Sequence, residues 1–264
     1  MCCDNKARII PVPQRAGQGE PAIIADMPVI DPSHQAPKRL PLAFFQRDSR
    51  ELAVHLLGKV IRHYHQGLWL SARIIETEAY RRDEKGSHAS LGLTQSRRAL
   101  FMEAGTLYMY YARGGDSLNI SSAGEGDGVL IKSGYPVVDQ ISGPESLALM
   151  RQLNPAANGE LRETRRLCNG QTLLCRSLHL KVPEWNAQQL DPQRLIVDDD
   201  GYRPEQIIQA ARLGIPLGRD EHLPYRFVDQ AYAPFCTRNP LGRTRREGRD
   251  YHLFNAVPDE WKLY

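Results

Sequence analysis

Between residues 41 and 237 the apolar positions fall into short runs, some alternating and some spaced as on a helix, with glycines and prolines between them. Asp48-Ser49-Arg50-Glu51 resembles a capping box, and Leu52, Leu56 and Leu57 follow it before Gly58. That order predicts a short helix closed by glycine. Lys59 to Tyr64 and Leu68 to about Tyr80 read as strands of a hairpin turning at His65-Gln66-Gly67. Thr106 to Ala112 and Ser117 to Ser121 predict a second hairpin around Arg113-Gly114-Gly115-Asp116, and Gly124 to Gly128 lead into a third strand, Val129 to Ile131. Pro144 to Leu153, Gln171 to Leu178 and Pro204 to Leu213, the last closed by Gly214, predict helices. Strands first and helices later indicate an α+β fold.

The first 40 residues break this pattern. Pro11, Pro13, Pro21, Pro28, Pro32 and Pro37 interrupt them and no periodicity is sustained, so residues 1–40 read as a flexible leader and the domain as starting near Pro41. No run approaches the roughly 20 apolar residues of a membrane helix, and no basic-then-apolar secretory leader is present. A cytoplasmic protein without a membrane partner is the expectation. Cys2, Cys3, Cys168, Cys175 and Cys236 show neither zinc-type pairs nor disulfide density, so idle or buried thiols are expected. The 34 Lys+Arg against 31 Asp+Glu give +3, of which residues 238–249 alone supply five Arg against one Glu. Residues 238–264 therefore read as a basic tail, and 41–237 as neutral. Any nucleic-acid contact by the body must come from placed residues rather than bulk charge.

Candidate chemistry lies on the strands. Alternation places Ile74, Glu76, Glu78 and Tyr80 on one face. A carboxylate at a strand end beside apolar neighbours is suited to general-base work, the competing reading being a solvated strand end. Tyr108 and Tyr110 share a face opposite Asn119, so two rings and an amide could stack on a planar ligand and read its edge. Tyrosines also simply favour strands.

Together the stretches Ile75-Glu76-Thr77-Glu78-Ala79-Tyr80, His88, Gly105 to Tyr110, Leu118-Asn119-Ile120-Ser121-Ser122 and Gly128-Val129-Leu130-Ile131-Lys132 resemble the alkyladenine (3-methyladenine) DNA glycosylase family in order and spacing. The resemblance continues through Met150 to Leu153, Leu167 to Gly170, Leu174-Cys175, Ala211 to Gly214 and Pro224 to Phe227, covering about 40–237. Dispersed blocks in order are more specific than one short motif. The resemblance implies one glycosylase domain over 41–237: a mainly antiparallel curved sheet with a protruding hairpin, surrounded by helices. It also implies a monofunctional base-excision enzyme that flips alkylated or deaminated purines (3-methyladenine, hypoxanthine, ethenoadenine) from double-stranded DNA and hydrolyses the N-glycosidic bond with water. Glu78 would be the catalytic base. Tyr80, His88 and Tyr110 would hold the base, and Asn119 would oppose the amine of normal guanine. No cofactor, no metal and no lysine Schiff base are implied, and a monomer is expected.

Three departures from the family stand out. Its hairpin tip carries a wedging tyrosine where this chain has Arg113, with Tyr111 an alternative plug. Its arginine near the catalytic water is Lys132 here. The loop from Tyr80 to His88 is shorter and opens Arg81-Arg82. Two other classes compete: a non-catalytic duplex binder on the same scaffold, and a metal-dependent phosphodiesterase using Glu76, Glu78, Asp83 and Glu84.

Overall fold

The structure is a computed structural model describing residues 38–255. The leader expected over 1–40 lies, but for its last residues, outside the described residues, as does the end of the expected tail. The strands are β1 (Lys38–Arg39), β2 (Val60–His65), β3 (Leu68–Tyr80), β4 (Leu107–Ala112), β5 (Gly115–Ser121), β6 (Gly128–Pro136), β7 (Leu195–Asp199), β8 (Gln206–Ala210), β9 (Arg226–Asp229) and β10 (Tyr251–Asn255). Helices α1 (Ser49–Leu56), α2 (Pro144–Leu153), α3 (Gln171–Ser177) and α4 (Val182–Trp185) pack around them. All ten strands join one antiparallel sheet, ordered β1-β7-β2-β3-β6-β5-β4, with β9, β8 and β10 branching from β3. This is a single α+β domain, as expected.

The longest strand, β3, organises the sheet. Its first half pairs with β2, Glu76–Glu78 pair with β9, and β6 runs along the other edge. The register to β6 shifts between Ile74 and Thr77. Before the shift Leu70, Ala72 and Ile74 belong to the main core; after it Ala79 does, and the Thr77 hydroxyl donates to Ala53 O of α1 at 2.8 Å. A bulge inserts an extra residue and exchanges the faces of everything beyond it. Strict alternation, which groups Ile74 with Glu76 and Glu78, fails at this point. Without the irregularity both carboxylates would point into the apolar core.

α1 starts where the sequence indicates. The Asp48 side chain accepts from Arg50 N at 2.9 Å, and Leu52, Ala53 and Leu56 are buried against β3 and β6. Two turns are too few to persist alone, so packing of this face holds the helix. Gly58 follows at φ +83°, and a Cβ there would stand 2.9 Å from the Tyr202 ring.

The segment from Pro204 corrects the sequence reading: Gln206–Ala210 is strand β8, not helix. It lies between β9 and β10, with Ile207 in the main core and Ile208 in a second cluster with Val228, Ala233 and Cys236. Two-sided burial of β-branched residues outweighs the helix-start signal of the proline. The covering strand β10 comes from beyond residue 237, so described residues of the expected tail complete the sheet, and Arg238 O accepts from the buried Arg226 guanidinium at 2.6 Å. The second hairpin is tighter than expected. Arg113 (φ +50°) and Gly114 (φ +78°) alone form its turn, and Gly115 and Asp116 already belong to β5. Paired left-handed residues are what a two-residue turn between twisted strands requires. Asp116 then accepts from Val182 N at 2.9 Å and Lys181 Nζ at 3.3 Å, anchoring the hairpin to α4.

Candidate active site

One row of register partners crosses four strands: Tyr108, Asn119, Leu130 and Glu78. Opposed residues share a face, so these side chains stand on one side of the sheet. Over this face opens a cavity of about 620 Å³, whose wall includes Tyr80, His88, Tyr108, Tyr110, Asn119 and Lys132, with Arg113 at the hairpin end. The cavity thus gathers six of the eight residues singled out from sequence.

Glu78 is 0% exposed and lies behind the wall rather than in it. Four contacts hold its carboxylate. The Tyr80 hydroxyl donates to Oε2 at 2.8 Å, Leu213 N donates to Oε1 at 3.1 Å, and Lys132 Nζ sits 3.3 Å from Oε1 and 3.4 Å from Oε2. Tyr80 and Lys132 both line the cavity, so they are the carboxylate's two links to it. Burial, followed by the Glu78 charge, pushes the Tyr80 hydroxyl well above its usual range, so it stays a donor. Behind its ring Arg212 stacks at 4.5 Å, donates to Ala79 O at 2.9 Å and pairs with Glu84.

Glu76, two residues earlier, has a different setting. Arg226 Nε donates to its Oε1 at 2.7 Å, and Ser133 Oγ and Thr237 N donate to its Oε2 at 2.5 and 2.9 Å. Glu84 is held by Arg212 and Arg81 N. The carboxylates that a phosphodiesterase reading would combine are therefore divided among separate partners. Among the described residues no three His, Cys, Asp or Glu side chains gather as metal ligands.

The aromatic side of the cavity is tightly built. Tyr108 and Tyr110 lie nearly parallel at 5.4 Å, and His88 meets the Tyr110 ring at 4.6 Å. His88 Nδ1 shares a 2.9 Å hydrogen bond with the Tyr108 hydroxyl. Burial, with Arg97 and Arg219 nearby, lowers His88 below the usual histidine range, so its ring is neutral at pH 7. Burial pushes the Tyr108 hydroxyl up to about 12. Asn119 donates through Nδ2 to Tyr108 O at 3.1 Å, which fixes the amide plane.

At the mouth, Arg113 is exposed and its guanidinium reaches towards Gly214, where a Cβ would stand 3.0 Å from Nη2. Tyr111 is 64% exposed, outside the cavity wall, and follows Tyr110 so that it takes the opposite face of β4. Sequence reasoning gave no role to the Leu213 amide or to Arg212. A backbone donor leaves no side-chain signal, and Arg212 meets Tyr80 only through the fold. The buried Cys168, Cys175 and Cys236 lie outside the cavity wall, and burial pushes the thiols of Cys168 and Cys236 up to about 12. Among the described residues no helix is long and apolar enough to cross a membrane.

Comparison with known proteins agrees with this geometry. The model of the methylpurine-DNA glycosylase (MPG) family matches residues 43–233. A protein of Pseudomonas aeruginosa strain UCBPP-PA14, provisionally named a 3-methyladenine DNA glycosylase, is 66% identical over 214 residues, covering 81% of this chain and 90% of its own. A similarly named protein of Pseudomonas savastanoi pv. phaseolicola is 63% identical, covering 81% and 96%. Another, from Anaeromyxobacter, is 33% identical over 76% of this chain and 94% of its own. With its cavity, its buried carboxylate and this match over most of its length, the chain belongs to the methylpurine-DNA glycosylase family.

Proposed function

We propose that this DNA glycosylase flips an alkylated or deaminated purine, of the 3-methyladenine, hypoxanthine or ethenoadenine class, out of duplex DNA and hydrolyses its N-glycosidic bond with water activated by Glu78. The observation that carries the reading is a fully buried carboxylate joined to a purine-sized aromatic slot by a phenol and an ammonium from the slot's own wall. The base stacks against Tyr80, Tyr110 and His88. The neutral His88 presents a hydrogen-bonding edge without repelling a cationic base, and Asn119 closes the floor where an unmodified guanine would bring an unmatched amine. Of the four contacts on Glu78 the two to Lys132 are longest and come from the most flexible side chain, so Lys132 yields first to the water. Glu78 takes a proton from that water as its oxygen bonds to C1′. The C1′–N bond breaks with its electrons leaving on the purine, and the carboxylate's charge favours the positive sugar between.

Arg113 serves as the plug that fills the duplex after flipping. It occupies the apex of a tight hairpin at the cavity mouth, and a guanidinium can enter the minor groove and stack on bases. Arg113→Ala is expected to weaken binding of lesion duplex and excision, whereas Tyr111→Ala leaves them near wild type; the reverse pattern would transfer the role to Tyr111. The decisive experiment incubates the protein with duplexes containing hypoxanthine, 1,N6-ethenoadenine or methylated purines and looks for free base and an abasic site. Wild type releases base, and Glu78→Gln releases it about 100-fold more slowly or less. No release by wild type would defeat the function, and full release by the variant would defeat the role of Glu78.

A further inference from the structure

We propose that Lys132 gives this enzyme a second activity: after base release its amine forms a Schiff base with the abasic sugar, and the strand is nicked by β-elimination. The inference rests on the glycosylase reading, because the substrate of the second step is the product of the first, held in the same cavity.

Three observations carry it. Lys132 is the one lysine in the cavity wall among the described residues, and it is only 9% exposed. Its placement is built into the sheet: Ser133 pairs with Glu76 and Ile131 with Thr77, and Lys132 falls between them in the irregular stretch with no register partner on β3. Its ammonium touches Glu78 alone among the described residues, at 3.3 and 3.4 Å. The other end of the same sheet shows what a purely structural cation looks like. There Arg62 donates to Asp198, Asp139, Ser71 and Ser142 and is closed from solvent. Lys132 has instead one carboxylate as partner and an open cavity beside it, which is how a nucleophile is placed next to its base.

The step balances without a cofactor. An abasic sugar opens to an aldehyde at C1′. Glu78 takes a proton from the Lys132 ammonium, the freed amine pair bonds to C1′, and Glu78 returns the proton as the C1′ oxygen departs as water, leaving an iminium. The carboxylate then removes a proton from C2′. That pair forms the C2′–C3′ double bond while the C3′–O bond breaks, and the phosphate leaves with its electrons. Water hydrolyses the imine and restores Lys132. A guanidinium cannot supply this amine, since it is not deprotonated in proteins.

The test uses a duplex whose abasic site is made beforehand by removing uracil with a separate uracil glycosylase, so it does not depend on base release by this protein. Sodium borohydride added to the wild-type reaction is expected to trap a covalent protein–DNA adduct, and peptide mapping is expected to find the reduced sugar on Lys132. Without borohydride the abasic strand is nicked. Lys132→Arg abolishes both adduct and nick, and mapping of the wild-type adduct stands even if the variant folds poorly. Absence of an adduct, an adduct mapped to another amine, or undiminished trapping by Lys132→Arg would overturn the proposal. Failure of the glycosylase reading would appear separately, as no release of damaged purine.

Discussion

The two ends of β3 bury opposite charges in opposite ways. At the first half guanidiniums are enclosed by aspartates: Arg62 by Asp198 and Asp139, and Arg73 by Asp200 through two hydrogen bonds of 3.1 and 2.8 Å. At the second half carboxylates are enclosed by donors, Glu76 on the sheet interior and Glu78 behind the cavity wall. Burial does not distinguish these clusters, because Arg62, Glu76 and Glu78 are all 0% exposed. Access of the partners does. Arg62 and Glu76 are held by partners that stay in place, whereas Glu78 is held in part by Tyr80 and Lys132, which face open space and can exchange contacts with a ligand. A buried charge becomes chemical when its counter-groups can reach the substrate.

Mutation at each end sharpens the contrast. The largest expected effect is on turnover: Glu78→Gln lowers single-turnover excision by about 100-fold or more while affinity for lesion duplex stays near wild type. At the other end Arg62→Met leaves Asp198 and Asp139 without their guanidinium and costs about 3–5 kcal/mol of unfolding free energy, with excision per folded molecule preserved. Urea melts set beside active-site titration read both, and a variant that kept its stability would break the comparison. Glu76→Gln keeps the shape but takes the charge from Arg226, for an expected loss of about 1–3 kcal/mol with little change in excision. If it abolished turnover like Glu78→Gln, the division between the two carboxylates would fall.

The smallest expected effect concerns pH at the β2 edge. Burial holds His63 down at about 4, and its Nδ1 bonds Leu178 O at 2.7 Å. A folded value below the unfolded one, near 6.5, means that the native state resists protonation. This contribution is complete above pH of about 6.5 and is lost as the pH falls towards 4. His63→Gln is expected to flatten that slope, narrowing the stability difference between pH 7 and pH 4.5 by about 1–3 kcal/mol.

What could be read from the sequence was local. α1 announces itself by Asp48 and the leucines after it, α2 by Pro144, and the first hairpin by Gln66-Gly67, because caps and turns are decided by neighbours in the chain. Tyr108, Tyr110 and Asn119 were placed correctly on one face for the same reason. β8 was misread because what makes it a strand is the arrival of β10 from more than 40 residues further along. The irregularity in β3 had no glycine or proline to mark it and follows from the pairing with β6 and β9. The site was legible in its residue types, by resemblance to a family pattern, whereas the backbone amide of Leu213 and the contact of Arg212 with Tyr80 needed the tertiary structure.

The extra residue in β3 also sets what kind of genetic change this strand can tolerate. Substitutions along Leu70–Ala79 alter one side chain at a time and leave every other where it was. Deleting Ile75 would act like a reading-frame error in space, turning Glu76 and Glu78 into the apolar core and Thr77 and Ala79 towards the cavity. Both active carboxylate and core would be lost in one event, so in this strand length is a stricter requirement than composition.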